Sequence, residues 1–303
     1  MVKKCLCWEI IYLLWITIIE YMNKEFAVPC QVNVIGGNYR INYRIVLDKS
    51  VRILVFAFIA LALIPGTVKS QSFIGLKAGA NATSISYNNE IYKEYYNPKI
   101  KPGYTGGLVL LMEHKEKFGL YTEVLYSAKG KYVESSANDY ETNIATLNYI
   151  DFPVLFRARI NKQKFSWFFH LGPEFNYWLG GKGEFKVYEP DRNVYTIYDY
   201  KINLDEPVFT SDYLNVQDAN RLQISLAFGT GMLWKLENAN YLALDLRFSM
   251  GHTFLGGYRT ASIPNIGIVD NFEYTNNVLS ASLVYYVDIL EKIKQSKNKY
   301  RRR

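Results

Sequence analysis

The segment Asn148–Ile160 alternates with period two. Ile150, Phe152, Val154, Phe156, Ala158 and Ile160 fall on one face, all apolar. Tyr149, Asp151, Pro153, Leu155, Arg157 and Arg159 fall on the other and carry three charges. Successive side chains of a strand point to opposite sides, so this pattern specifies a strand with one apolar and one polar face. A tilted strand crosses a bilayer in about 9–11 residues, and this segment is long enough to do so. No sheet edge can stay open in lipid, where each unpaired N–H or C=O costs several kcal/mol. The rest of the chain must therefore supply strands that close the sheet.

Seven further segments alternate in the same way. Ile74–Ser84, Tyr104–Met112 and Phe118–Lys129 precede the first, and Phe165–Trp178, Leu222–Trp234, Tyr241–Gly251 and Val278–Val287 follow it. The connections Glu113–Lys117, Asn161–Lys164 and Glu237–Asn240 are short, and they alternate with long ones at Tyr87–Gly103, Gly130–Thr146, Gly180–Asn220 and Thr253–Thr275. Short turns at one rim and long loops at the other are the layout of an outer-membrane barrel with both ends periplasmic. The expected fold is all-β: an eight-stranded antiparallel up-and-down transmembrane β-barrel over residues 71–290.

The alternation puts Lys77, Glu123, Asp151, Arg157, His170, Glu174, Asp245 and Arg247 on the inner face. These are expected to form a structural charge network in a lumen that eight strands leave just wide enough for side chains to fill. Trp167, Tyr177, Trp178 and Trp234 lie towards strand ends and read as an interfacial girdle. A soluble lipocalin-like carrier has the same strand count, but its apolar faces point inward around a ligand. Aromatics are 16% of the chain, with 26 Tyr, which suits strands and membrane interfaces.

The net charge of +7 sits at the ends. Residues 1–70 carry a surplus of four basic charges, Lys292–Arg303 carry seven with no acid, and 71–291 are left at −4. That body charge does not suit nucleic acid. Ile53–Ile64 is uncharged, follows Lys49 and Arg52, and is broken by Pro65-Gly66 before Ser70. This is the pattern of a secretory signal peptide over 46–70, with Gln71 as the mature start. Residues 1–45 read as an extension, either upstream of the true gene start or cytoplasmic, and 291–303 as a basic periplasmic tail.

Cys5, Cys7 and Cys30 all precede residue 70, so the body has no disulfide or thiolate site. His170 and Glu174 stand four residues apart on one face, about 13 Å along a strand, too far for a direct dyad. A Ser–His–acid set would need Ser127 or Ser166 beside His170. The acids Glu184, Glu189, Asp191, Asp199, Asp205, Glu206, Asp212 and Asp218 follow no Ca²⁺-loop spacing. No catalytic residue, cofactor or metal is therefore expected.

Tyr149-Ile150-Asp151-Phe152-Pro153-Val154-Leu155-Phe156 resembles the proline-bearing strand of PorT-like outer-membrane β-barrel proteins of Bacteroidota. Gly75-Leu76-Lys77-Ala78-Gly79-Ala80-Asn81 and Leu171-Gly172-Pro173-Glu174-Phe175 resemble the first and fifth strands of that family. The resemblance implies an eight-stranded outer-membrane barrel. The name-giving member is linked to secretion and gliding, but the resemblance does not imply that role for this chain. The expected protein is a monomer whose partners are outer-membrane lipids and periplasmic or cell-surface proteins. Its expected role is structural or binding, through the surface loops. The alternatives are an auxiliary component of a secretion or gliding complex, a small outer-membrane enzyme using His170 or Glu174, and a soluble ligand carrier.

Overall fold

The alternating segments form long strands. The computed structural model describes residues 71–289, apart from 89, 136–140, 190–192, 211, 238–239, 258–260 and 264–267. The expected extension, signal peptide and basic tail lie outside the described residues. The strands are β1 (Gln71–Tyr87), β2 (Tyr96–Lys99), β3 (Lys101–His114), β4 (Phe118–Ser135), β5 (Thr142–Asn161), β6 (Ser166–Glu189) and β7 (Val194–Asn203). They continue as β8 (Tyr213–Val216), β9 (Leu222–Lys235), β10 (Asn240–Gly251), β11 (Ala261–Ile263), β12 (Ile268–Asp270) and β13 (Tyr274–Asp288). One short helix, α1 (Glu90–Tyr95), lies between β1 and β2. Among the described residues no helix is long and apolar enough to cross a membrane.

β1 pairs antiparallel with both β13 and β3. From β3 the pairing passes to β4, β5 and β6. It continues from β6 to β9, from β9 to β10 and from β10 to β13. The path of long strands thus returns to β1.

The sheet has thirteen described strands where the alternation predicts eight. The extra strands come from stretches expected to be loops. β4 runs on to Ser135 and pairs with β2, and β5 begins at Thr142. The upper half of β6 pairs with β7, and β8, β11 and β12 extend the sheet further. Val194-Tyr195-Thr196-Ile197-Tyr198 is built of β-branched and aromatic residues, so it forms a strand despite the surplus of acid around it.

The interior is layered. Next to the short turns, Phe73, Leu111, Tyr121, Leu155, Phe168, Leu233 and Tyr286 belong to one apolar cluster. At the long-loop end Tyr87, Leu147, Trp178, Phe185, Tyr200, Phe272 and Tyr274 belong to a second, which supports the upper sheet. Buried charge lies between them. The outer surface is apolar on every long strand: Leu76, Leu108, Tyr126, Phe156, Leu171, Phe228, Leu246 and Leu283 are all exposed, Leu76 by 64% and Phe156 by 57%.

Two irregularities mark β5 and β6. Between Asn148↔Gly180 and Tyr149↔Trp178 the register shifts by one residue, with Leu179 extra. Gly180 takes φ +134° there, a backbone that side chains disfavour. At Pro153, which has no N–H to donate, the β4–β5 pairing is interrupted between Thr122↔Val154 and Leu125↔Asp151 without a change of register. Asp151, Phe152 and Pro153 are buried in succession, so the in–out alternation lapses at the proline.

Candidate functional site

Most of the buried charges expected on the inner face gather in two clusters between the apolar layers. In the first, Lys77 Nζ of β1 stands 3.0 Å from Glu123 Oε1 of β4 and 2.6 Å from Asp245 Oδ2 of β10. Arg247, two residues from Asp245 on the same face, grips Glu123 with Nη1–Oε2 at 2.6 Å and Nη2–Oε1 at 2.9 Å. Its Nη2 also reaches Asp245 Oδ2 at 3.2 Å. His170 of β6 closes the cluster, with Nε2 3.5 Å from Asp245 Oδ1. Its ring stacks on Tyr121 at 5.7 Å. Gly229 of β9 makes room for it: a Cβ there would lie 2.3 Å from His170 Nε2.

The second cluster centres on Lys129 of β4. Its Nζ donates to Asp151 at 2.9 Å, Glu174 at 3.4 Å and the side-chain Oδ1 of Asn176 at 2.6 Å. Ser249 Oγ donates to Glu174 Oε2 at 2.8 Å, and Asn176 Nδ2 donates to Ser225 Oγ at 2.9 Å. Lys129 lies on the same face as Glu123 but was not among the residues predicted for the network. Its partners come from β5 and β6, and local spacing does not reveal such contacts.

Arg157 departs from expectation. The sequence reading pairs it with lumen carboxylates, but it lies in the lower aromatic layer. Its guanidinium carbon is 3.5 Å from the Phe168 ring centroid, and Nη1 donates to the Tyr286 hydroxyl at 3.1 Å. Its Nε and Nη2 have no hydrogen-bond partner among the described residues. Aromatic faces attract a guanidinium strongly once it is desolvated. With Arg157 counted, Lys77, Lys129, Arg157 and Arg247 match Glu123, Asp151, Glu174 and Asp245 in number, all buried.

Two further buried ion pairs lie outside those clusters: Arg159 Nη1 stands 2.6 Å from Glu113 Oε2, and the other joins β4 to β12. Lys131 meets Asp270 of β12, which also accepts from Asn143 Nδ2 at 2.8 Å. Tyr200 OH in turn donates to Asn143 Oδ1 at 2.7 Å. This network ties the last long connection to the upper sheet.

The girdle reading fails for two of its four residues. Trp178 and Tyr177 are buried, and Trp178 stacks on Phe272 at 5.5 Å. The extra residue at Leu179 lets Trp178 and Phe185 share the inner face. Neither serine that a Ser–His–acid set would need partners His170: Ser127 bonds Thr105 and Ser166 bonds Asn161. Among the described residues no three His, Cys, Asp or Glu side chains converge as a metal site, and Asp191 lies outside those residues.

Space inside is scarce. One void of about 10 Å³ touches Lys129, Tyr149 and Gln223. Another of about 20 Å³ touches Lys77, Asn81, Lys129 and Arg247. Each is about the size of a single water. An open groove of about 670 Å³ lies among Ile144, Thr146, Lys182, Glu184, Asp199 and Lys201 of the upper sheet.

The sequence profile of the family described as "Outer membrane protein beta-barrel domain" matches residues 69–253. No curated protein sequence matches the chain. Among solved structures, OprG from Pseudomonas aeruginosa is similar at 12% identity, covering 72% of this chain and 96% of that one, with a TM-score of 0.42. Ail, the attachment invasion locus protein of Yersinia pestis, is similar at 13% identity over 71% of this chain and 99% of that one, with a TM-score of 0.32. Neisserial surface protein A is similar at 11% identity over 72% and 97%, with a TM-score of 0.33.

Proposed function

The chain belongs to the outer membrane protein β-barrel domain family and resides in the outer membrane, and from that premise we propose that it is an eight-stranded transmembrane barrel with a packed lumen that works as a surface binding module. The eight long strands β1, β3, β4, β5, β6, β9, β10 and β13 form the staves, and the upper sheet stands in water beyond the outer leaflet. One observation carries this reading: the polarity is inverted, with exposed apolar side chains on every long strand and buried charges inside. A soluble carrier has the opposite arrangement, which argues against that alternative. A charge on the lipid face at mid-bilayer costs about 2–4 kcal/mol, whereas the interior charges have opposite charges or aromatic faces beside them.

The packed layers argue against a transport role, and the partners of His170, Ser127 and Ser166 argue against hydrolytic chemistry. What remains for interaction is the upper sheet, an ordered platform with its own apolar core. The likeness of Tyr149–Phe156 to PorT-like strands supports a Bacteroidota-type member of the family. The export pattern over 46–70 supports delivery across the inner membrane. The test is heat-modifiable gel migration of protein extracted from outer-membrane fractions. Unboiled protein is expected to run as a compact form that shifts on boiling. A single band unaffected by boiling would overturn the barrel.

A further inference from the structure

β7 lies against the upper half of β6 along its whole length, from Glu189↔Val194 to Gly181↔Ile202. On its other side it pairs only through Lys201–Asn203, with β8, in parallel. From Val194 to Tyr200 that second edge has no strand against it among the described residues. A free edge offers backbone N–H and C=O groups to any extended chain. Edges are commonly blunted with lysine, proline or a bulge. Val194-Tyr195-Thr196-Ile197-Tyr198 contains neither lysine nor proline, and no register shift interrupts its pairing with β6. Tyr195 and Ile197 share one face and are 52% and 60% exposed, Val194 on the opposite face is 46% exposed, and the exposed Asp199 ends this apolar run.

The edge is also held in shape before anything binds. Thr196 Oγ1 donates to Glu189 at 2.6 Å, Lys186 Nζ lies 4.1 Å from the Tyr195 ring centroid, and Phe185 and Tyr200 stack at 4.7 Å. Ile197 pairs with Lys186, seven residues beyond the exposed Leu179. That is about 23 Å along the strand, clear of the bilayer in the reading above.

We propose that the Val194–Tyr200 edge is a β-augmentation site that takes an extended, uncharged segment of another protein in antiparallel register. Apolar side chains of that segment would oppose Tyr195 and Ile197. The inference rests on the barrel reading, which places this end in water. That reading also excludes a second copy in the same membrane as the antiparallel partner. Antiparallel self-pairing needs a two-fold axis perpendicular to β7. Two barrels in one membrane share an orientation, so their axis must follow the membrane normal. β7 runs along β6, whose lower half is a barrel stave tilted by about 35–45° from that normal, so the two requirements conflict. A chain arriving from the water has no such constraint.

The test uses the mature chain in lipid nanodiscs and a fluorescent, uncharged synthetic peptide with the sequence of Val194–Tyr198. This peptide is free of the membrane and can pair antiparallel about Thr196, setting Tyr195 against Ile197. Saturable binding is expected. Ile197→Lys should weaken it at least tenfold, while Phe209→Lys, at a still more open apolar site off β7, should leave it unchanged. Absence of saturable binding, or equal binding by Ile197→Lys, overturns the site. Self-association of the protein that Ile197→Lys abolishes also overturns it, in favour of a second copy. Heat-modifiable migration of the same samples separates the two proposals. A retained shift without peptide binding defeats only this inference, and a lost shift defeats the barrel.

Discussion

Glu123 holds two cations, Lys77 and Arg247, and is fully buried. Removing one partner of such a group leaves an uncompensated charge, at a cost of about 3–5 kcal/mol. Glu123→Gln is expected to cost that much in urea unfolding from lipid vesicles. Adding Arg247→Met should cost less than the sum of the two single changes, because the second change removes a charge already stranded. Strict additivity would mean the two groups are not coupled. A second prediction concerns Gly229, where a methyl group would press on His170 and the Leu246 carbonyl. Gly229→Ala is expected to destabilise by about 1–3 kcal/mol, with part of the loss recovered in a His170→Ala background. Unaltered stability would show that the ring can move aside. Residue by residue, the inner face was legible, because parity along a strand assigns each side chain to one side. The partners were not. Lys77 and Asp245 are 168 positions apart, and their contact depends on how the sheet closes. Nothing local marked Arg157 for an aromatic nest rather than a carboxylate.

Among the elements, β5 tests the two faces against each other. Phe156→Arg puts a charge on the outer surface and is expected to cost about 2–4 kcal/mol if it lies at mid-bilayer. Asp151→Asn leaves Lys129 with Glu174 and Asn176 still in reach, so it should do far less. The yield of each variant in the outer-membrane fraction measures the difference, and equal yields would mean the faces are reversed. The long strands could be read because their alternation persists over most of each span between turns. The upper sheet was missed for a physical reason. Period two holds only while the register holds, and the extra residue at Leu179 resets it. Carried past that point, strict parity sends Phe185 outward, whereas it is fully buried. Pro153 shows the reverse case. It interrupts the ladder yet keeps the register, so Phe156 and Arg157 beyond it take their expected faces, whereas Phe152, expected on the outer face, is buried.

For the whole molecule, two apolar clusters bracket a layer of paired buried charges, and the voids near Lys129 have room for about one water each. The purified protein is expected to give no steady conductance in planar bilayers, and ohmic steps would overturn the packed lumen. The upper sheet and the staves share one continuous element, the 24-residue β6. Its lower half is paired with β9 at twelve positions, from Ser166 to Tyr177. A partner that tugs on the tip therefore loads β6 along its length. The pull reaches those twelve positions together, as shear, and does not peel them apart one at a time. Tension at the cell surface would be shared across the barrel wall before any single stave gave way.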